Sequence, residues 1–368
     1  MTETHPARQT ILDTRRARER RRRRRWVAAA LLLATLPAGL SVLRDVPSER
    51  FAVDPDNLPR LGPVPELHPT GWVNGEPLAN EALAGKVVLY DFWTYSCVNC
   101  LRTIPHLRAW HERYQGDGLL IVGVHSPEFG FERDAANVKA AVERLGVDWP
   151  VALDAEGNIW DAFSNRQWPA LYVADREGQL RYRHFGEGEY DQTESVLRNL
   201  LGVGDSAARA VDPGATSPGS DPGDITGETP LGTARSDVAD PGRHRYRGGD
   251  DRPPPGDVSL EGVWEGGRDQ LRALEAEASL TLGYRAAEVN LVMATAGDPV
   301  DVIAELDGNP LPEDYRSTRT LVDGQGRTYV RVAEPGLYRL LRGPRVERGV
   351  LRLVPQAPGL EAYAFTFG

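Results

Sequence analysis

The chain has 368 residues, 40% of them hydrophobic and 26% charged, which gives room for two ordinary domains with packed cores and excludes a wholly disordered polymer. The formal net charge of −10 is unevenly spread, because residues 1–25 hold ten arginines against three acids and the remainder is strongly acidic. The two parts therefore face different surroundings.

The basic tail, residues 1–25, runs directly into WVAAALLLATLPAGLSVL, Trp26 to Leu43, which has no charged side chain. As a helix rising about 1.5 Å per residue this stretch would extend about 27 Å, enough for a bilayer's hydrocarbon core. It predicts a single transmembrane anchor over 26–43, with the arginines cytoplasmic and everything from Arg44 onward outside the membrane. The competing readings are a cleaved signal peptide, which would leave a secreted protein, and a nucleic-acid patch. No clear small-residue cleavage pattern follows the apolar run, and nucleic-acid patches are rarely fused to a membrane-length segment, so no nucleic-acid partner is expected. Residues 44–65, rich in Pro and charge, read as an extended tether.

A first domain is expected over 66–202. VVLYDF (Val87–Phe92) and LLIVGVH (Leu119–His125) are short, apolar and β-branched, as buried strands are. Between them Leu101, Ile104, Leu107, Trp110 and Tyr114 fall on one face of a helix, so strand, helix and strand imply a parallel crossover. Asp134–Leu145 reads as a second helix stopped by Gly146. ALYVAD, REG and QLRYRHF read as a hairpin, and ESVLRNLLG as a closing helix. This domain is α/β.

Residues 203–224 are a Gly/Pro/Ser/Asp linker that cannot bury enough apolar surface to offset its conformational entropy. A second domain is expected over 225–368, irregular and Pro/Gly-rich to about 256, with TPLGTAR as a possible first strand. From Val258 the pattern is β throughout: ASLTLGYRA, EVNLVMAT, VDVIAEL, TYVRV, LYRLL and GVLRLV. It predicts an all-β sandwich of jelly-roll type.

The only cysteines, Cys97 and Cys100, lie in DFWTYSCVNCLRTIP. Their spacing alone admits a staple, a metal clamp or a redox pair. A staple closing so short a loop would restrict the unfolded chain little. Zinc needs about four ligands, and no second Cys/His pair has a recognised spacing; haem attachment needs His after the second Cys, where Leu101 stands. At a strand-to-helix junction, by contrast, Cys97 would sit where orphan N–H groups favour a thiolate, and Cys100, a turn later and more buried, could resolve a mixed disulfide.

With Asp91 six residues before Cys97, Pro105 five after Cys100, and Trp168-Pro169 preceding LYVAD, the chain resembles the thioredoxin-like superfamily. The resemblance implies a buried acid near the second sulfur at Asp91 and a cis-proline facing the pair at Pro169. GKVVLYDFW, the insertion after the Leu119 strand and the tether look like the TlpA/ResA class of anchored extracytoplasmic thiol-disulfide oxidoreductases, in which an acid on the loop after the second strand lies near the cysteines; here that is Glu128 in HSPEF. DFWTYSCVNCLRTIPHLRAW, GVHSPEF, NRQWPALYVAD, HFGEGEY, TPLGTAR and EAYAFTFG are similar to the extracytoplasmic part of DipZ-type proteins, which add a CcdA-like electron conduit. This chain has one anchor in its place.

The resemblance implies an enzyme that exchanges disulfides with exported proteins and uses no metal or other cofactor. Cys97, Cys100, Asp91 and Glu128 are the expected catalytic residues, and Trp168, Pro169, Trp93 and Tyr95 the expected substrate contacts. Reduction is the favoured direction, for cytochrome c maturation or disulfide repair, with electrons from a separate CcdA/DsbD-like membrane protein. A disulfide-forming oxidase is the enzymatic alternative, since Val98 and Asn99 help set the potential in a way no spacing rule predicts. The non-enzymatic alternative is an envelope binding protein whose β-domain takes glycan or protein, through aromatics such as Trp264 and Tyr284. A peroxidase is weaker, because TYSC lacks the Pro and Thr expected around a peroxide-attacking cysteine.

Overall fold

The computed structural model describes Asp54 and residues 57–78, 80–204 and 225–368. The basic tail, the expected span 26–43, most of the tether and linker residues 205–224 lie outside the described residues. Among the described residues, no helix is long and apolar enough to cross a membrane.

The first domain runs β1 (Gly62–Pro63), β2 (Gly71–Val73), α1 (Asn80–Leu83), β3 (Val87–Trp93), α2 (Val98–Tyr114), β4 (Leu119–His125), α3 (Ala135–Leu145), β5 (Val151–Leu153), α4 (Asn158–Ala162), β6 (Ala170–Ala174), β7 (Gln179–Phe185) and α5 (Tyr190–Leu201). Its sheet has the order β1-β7-β6-β3-β4-β5-β2. β3 is the central strand, and all seven of its residues are buried, as a strand covered on both faces must be. It pairs in parallel with β4, Val87 opposite Leu119 and Trp93 opposite His125. β6 pairs antiparallel on its other side.

The two-residue alternation of β3 divides the core. Val87, Leu89 and Trp93 pack with Ile104, Leu107 and Trp110 of α2, Val138 and Val142 of α3, and Val196 and Leu197 of α5. Val88, Tyr90 and Phe92 pack on the opposite face with Ile159 and Phe163. Asp91 therefore points with the α2 face. α3 starts on Asp134, whose side chain accepts the Ala136 N–H, and stops at Gly146 with φ +61°.

One boundary differs from the sequence reading. The expected tether extends to residue 65, but Leu58 is buried in the core, its carbonyl and that of Pro59 accept hydrogen bonds from Arg181, and Gly62–Pro63 pairs with β7. A proline at that place sits on an edge strand, where its missing N–H loses no ladder bond.

The second domain runs β8 (Thr229–Pro230), β9 (Gly242–Arg247), β10 (Val258–Gly266), β11 (Leu271–Ala273), β12 (Ser279–Thr295), β13 (Val300–Leu306), β14 (Asn309–Pro310), β15 (Leu321–Val322), β16 (Thr328–Val332), β17 (Gly336–Pro355) and β18 (Leu360–Phe367). The all-β class is as expected, but the strands do not form the two separate sheets of a jelly-roll sandwich. All eleven belong to one sheet. ASLTLGYRA and EVNLVMAT are a single strand, β12, with register shifts near Glu288, and LYRLL and GVLRLV are both in β17. Such bulges let a long strand bend without ending. One half of β12 pairs with β10 and the other with β18, while β11 joins β10 to β18, so these four strands close a circuit of pairings. TPLGTAR supplies only the two-residue β8.

The domains meet on the loop after β4. Phe129 and Phe131 pack against Tyr363, with ring centroids 5.0 and 4.9 Å away, and against Val292, Ala294 and Leu337. Arg235–Glu128 at 2.6 Å, Arg102–Glu288 at 3.4 Å and Arg144–Glu334 at 3.3 Å cross the same boundary.

A methyl group added at Gly283 would lie 1.9 Å from the carbonyl oxygen of Pro253 and 2.6 Å from that of Pro254, both backbone atoms, whereas one at Gly297 would meet nothing within 4 Å. Gly283→Ala is expected to destabilise the protein by about 1–3 kcal/mol or more, and Gly297→Ala to leave it nearly unchanged. Urea unfolding followed by tryptophan fluorescence compares the two.

Candidate active site

At the end of β3 the chain turns through Thr94, Tyr95 and Ser96 and enters α2 with Cys97 as its N-cap. The Cys97 N–H bonds the Thr94 carbonyl at 3.3 Å, and the Cys97 carbonyl accepts the Leu101 N–H at 3.1 Å, opening the helix. Cys97 Sγ accepts the Cys100 N–H at 3.4 Å. The first sulfur thus takes one of the four amide hydrogens that a helix start leaves without intrahelical partners. Cys97 is half-buried and Cys100 is 1% exposed. Pro105 lies inside the helix.

Asp91 is 2% exposed, and its Oδ1 has no hydrogen-bond partner among the described residues. Burial pushes its carboxyl up to about 8. The Cys100 thiol is pushed well above its ordinary value, first by burial, then by its hydrogen bond with Cys97 and the charges of Cys97 and Asp91, with the Thr94 backbone opposing. The structure therefore places a proton-holding acid and a proton-holding thiol on the same buried face.

The Trp168–Pro169 peptide is cis and leads into β6, the neighbour of β3. Trp168 is half-buried, donates its indole N–H to the Ser126 carbonyl at 3.0 Å and packs on Trp160 with centroids 4.3 Å apart. That contact ties the proline loop to the end of β4.

Three expected site residues lie elsewhere. Trp93 and Tyr95 are 1% and 2% exposed, so neither has a surface to offer a substrate. They flank His125: Trp93 meets it edge-on at 5.4 Å and Tyr95 stacks on it at 5.5 Å. Burial pushes that imidazole down to about 3, which keeps it neutral in this aromatic stack. Glu128 lies at the domain boundary. Its carboxylate is held by Arg235 of the second domain, which also binds Glu228 at 2.6 Å.

The acid that does reach the cysteine turn is Glu132, which the sequence reading passes over. It is 1% exposed and accepts hydrogen bonds from the Ser96 and Thr94 hydroxyls with one oxygen and from the Glu128 and Phe129 N–H groups with the other. A 3-10 turn, Gly130–Arg133, carries it back under the loop. The signal available was an acid directly after the apolar FGF, where a solvated loop acid has no reason to sit. Among the described residues no three His, Cys, Asp or Glu side chains converge as a metal site would.

Residues 63–201 match the family model described as Redoxin, and residues 226–368 that of the thioredoxin-like C-terminal domain. Protein DipZ of Mycobacterium bovis is 33% identical over 324 residues, 84% of this chain and 44% of that protein. The thiol-disulfide oxidoreductase YkuV of Bacillus subtilis is 36% identical over 142 residues, 38% of this chain and 94% of the relative. A solved thioredoxin-like protein in its oxidized form is 33% identical, with a TM-score of 0.36, over 39% of this chain and 96% of that one. The chain spans less than half the length of the DipZ protein it matches.

Asp91 sets a pH dependence of stability. Its folded carboxyl is raised from 3.8 to about 8, so the folded state holds the proton more tightly and ionisation opposes folding increasingly as pH rises through that window. Asp91→Asn is expected to match the wild type near pH 4 and exceed it in stability above pH 8, the gap growing by about 1.4 kcal/mol per unit at most. Urea titrations at pH 4, 6 and 9 measure it; a gap that shrinks toward high pH would contradict the assignment.

Proposed function

Because the chain belongs to the thioredoxin-like thiol-disulfide oxidoreductases, we propose that it reduces disulfides of exported proteins through the Cys97–Cys100 dithiol. The observation that carries this reading is the unequal pair: a half-buried sulfur capping the helix and a sealed one a turn away on the face of Asp91. The thiolate of Cys97 attacks one sulfur of the substrate disulfide. That S–S bond breaks, its second sulfur leaves as a thiolate that takes a proton from water, and a mixed disulfide forms. Cys100 then gives its proton to the ionised fraction of Asp91 and attacks Cys97 Sγ. The mixed disulfide breaks, the substrate leaves with both sulfurs reduced, and two electrons have moved from the protein to the substrate.

Trp168 and, through its backbone, the cis-proline Pro169 are the substrate contacts in this reading. The second domain, packed on the loop beside the cysteine turn, narrows the routes by which a substrate reaches the pair. In this reading the basic tail and the apolar run 26–43 anchor the enzyme on the outer side of a membrane. Its electrons then come from a separate CcdA/DsbD-like membrane donor. Cytochrome c maturation and disulfide repair are the pathways that would use it.

Two measurements test this. Cys100→Ser is expected to accumulate mixed disulfides at Cys97 with exported proteins, and a chain acting only as a binding protein would form none. The reduction potential of the pair, equilibrated in glutathione or dithiothreitol buffers, is expected nearer the thioredoxin value of about −270 mV than the oxidase value of about −120 mV. A potential above about −150 mV would reverse the direction and make the protein an oxidase.

A further inference from the structure

Glu132 presents an electrostatic contradiction. A buried acid bonded to Ser96, the residue before Cys97, opposes negative charge on the neighbouring sulfur. Charge therefore gives no reason for it to be there. Geometry does, because its two oxygens bind two segments far apart in the chain. Oε1 accepts the Ser96 hydroxyl at 2.5 Å and the Thr94 hydroxyl, both side chains themselves fully buried. Oε2 accepts the N–H groups of Glu128 at 2.7 Å and Phe129 at 2.9 Å.

Each segment leads somewhere. The Thr94 carbonyl holds the Cys97 N–H, and the Thr94 backbone bonds the Cys100 thiol, so this short turn meets both sulfurs. Phe129 lies in the cluster formed with Val292, Ala294 and Tyr363 of the second domain. Hydrogen bonds to a carboxylate are short and strong, and four of them in a dry site leave the group little freedom.

We propose that Glu132 is the positioning residue of the redox site, holding the Thr94–Ser96 turn, and through it Cys97 at the helix terminus, in fixed register with the loop on which the second domain is seated. This rests on the dithiol reading above. It makes a claim that a charge effect contradicts. If Glu132 acted through its charge, any neutral replacement would make Cys97 more reactive. If it acts by holding the turn, only a replacement that cannot bond the same groups should matter, and then the effect is a loss. Gln can serve, its oxygen accepting the two backbone N–H groups and its amide donating to hydroxyls that rotate to accept. Ala cannot.

The test uses the full chain carrying Cys100→Ser, so that Cys97 alone is read, and follows its alkylation by iodoacetamide from pH 5 to pH 9 at a temperature where each variant is folded. Glu132→Ala is expected to slow alkylation about tenfold, the scale of a displaced reacting group, and to shift the pH profile upward. Glu132→Gln is expected to react at the wild-type rate or faster. Ser96→Ala, which removes one donor and leaves the loop amides bonded, is expected to slow the reaction about threefold and decides the matter if Glu132→Ala does not fold. A Glu132→Ala protein that alkylates as fast as wild type, or a Ser96→Ala protein with unchanged rate and profile, overturns the proposal. Insulin reduction by the wild-type dithiol, measured beside it, bears on the reductant reading separately, since alkylation needs no disulfide substrate.

Discussion

A carboxyl group buried with one oxygen unbonded is the constraint around which the redox site is arranged. The alternation of β3 gives position 91 to the face that α2 covers, where Leu89 and Trp93 are its strand neighbours and an apolar residue would pack without cost. Leaving an acid there costs several kcal/mol if it is charged, so it stays protonated through the neutral range. The same enclosure acts on Cys100. Burial raises both groups, so each holds its proton more tightly than it would in water.

Much of this was legible because it depends on short, rigid spacings. Cys97, Cys100, Asp91 and Pro105 are carried by one strand, one turn and one helix, so counting residues locates them in space. Trp168-Pro169 is distant in sequence, but a half-buried Trp-Pro before a buried strand has few other uses. Trp93 and Tyr95 neighbour the cysteines in the chain but are buried. Closeness to Cys97 along the chain says nothing about which way a side chain points, and the strand continues through Trp93, so its ring goes into the core. Glu128 and Glu132 differ by one tight turn. The sequence offers two acids in one loop, and only the reversal at Gly130–Arg133 decides which faces the cysteines. In the second domain, Gly, Pro and Arg separate LYRLL from GVLRLV in the sequence, whereas β17 runs through them with irregular pairing.

The segment Ser126–Arg133 does several things at once. Its first carbonyl holds Trp168, its phenylalanines seat the second domain, and its last acid binds the cysteine turn. Polar bonds on one side of the loop and ring packing on the other make it hard to move one contact without the rest. Arg102, a turn along the helix from Cys97, adds a second link by pairing with Glu288 across the boundary and with Glu187 on its own domain. The linker between the domains therefore need not set their arrangement.

The short pairing of Gly62–Pro63 with β7 has a bearing on solubility. A sheet whose outermost strand shows a free row of backbone donors and acceptors invites a second chain to add itself there. Here the residues that lead into the domain lie along β7, with Arg181 fastening them through the carbonyls of Leu58 and Pro59. The entering segment pairs with Gln179 and Leu180 at the start of β7, so that part of the margin has no free ladder to offer a second chain.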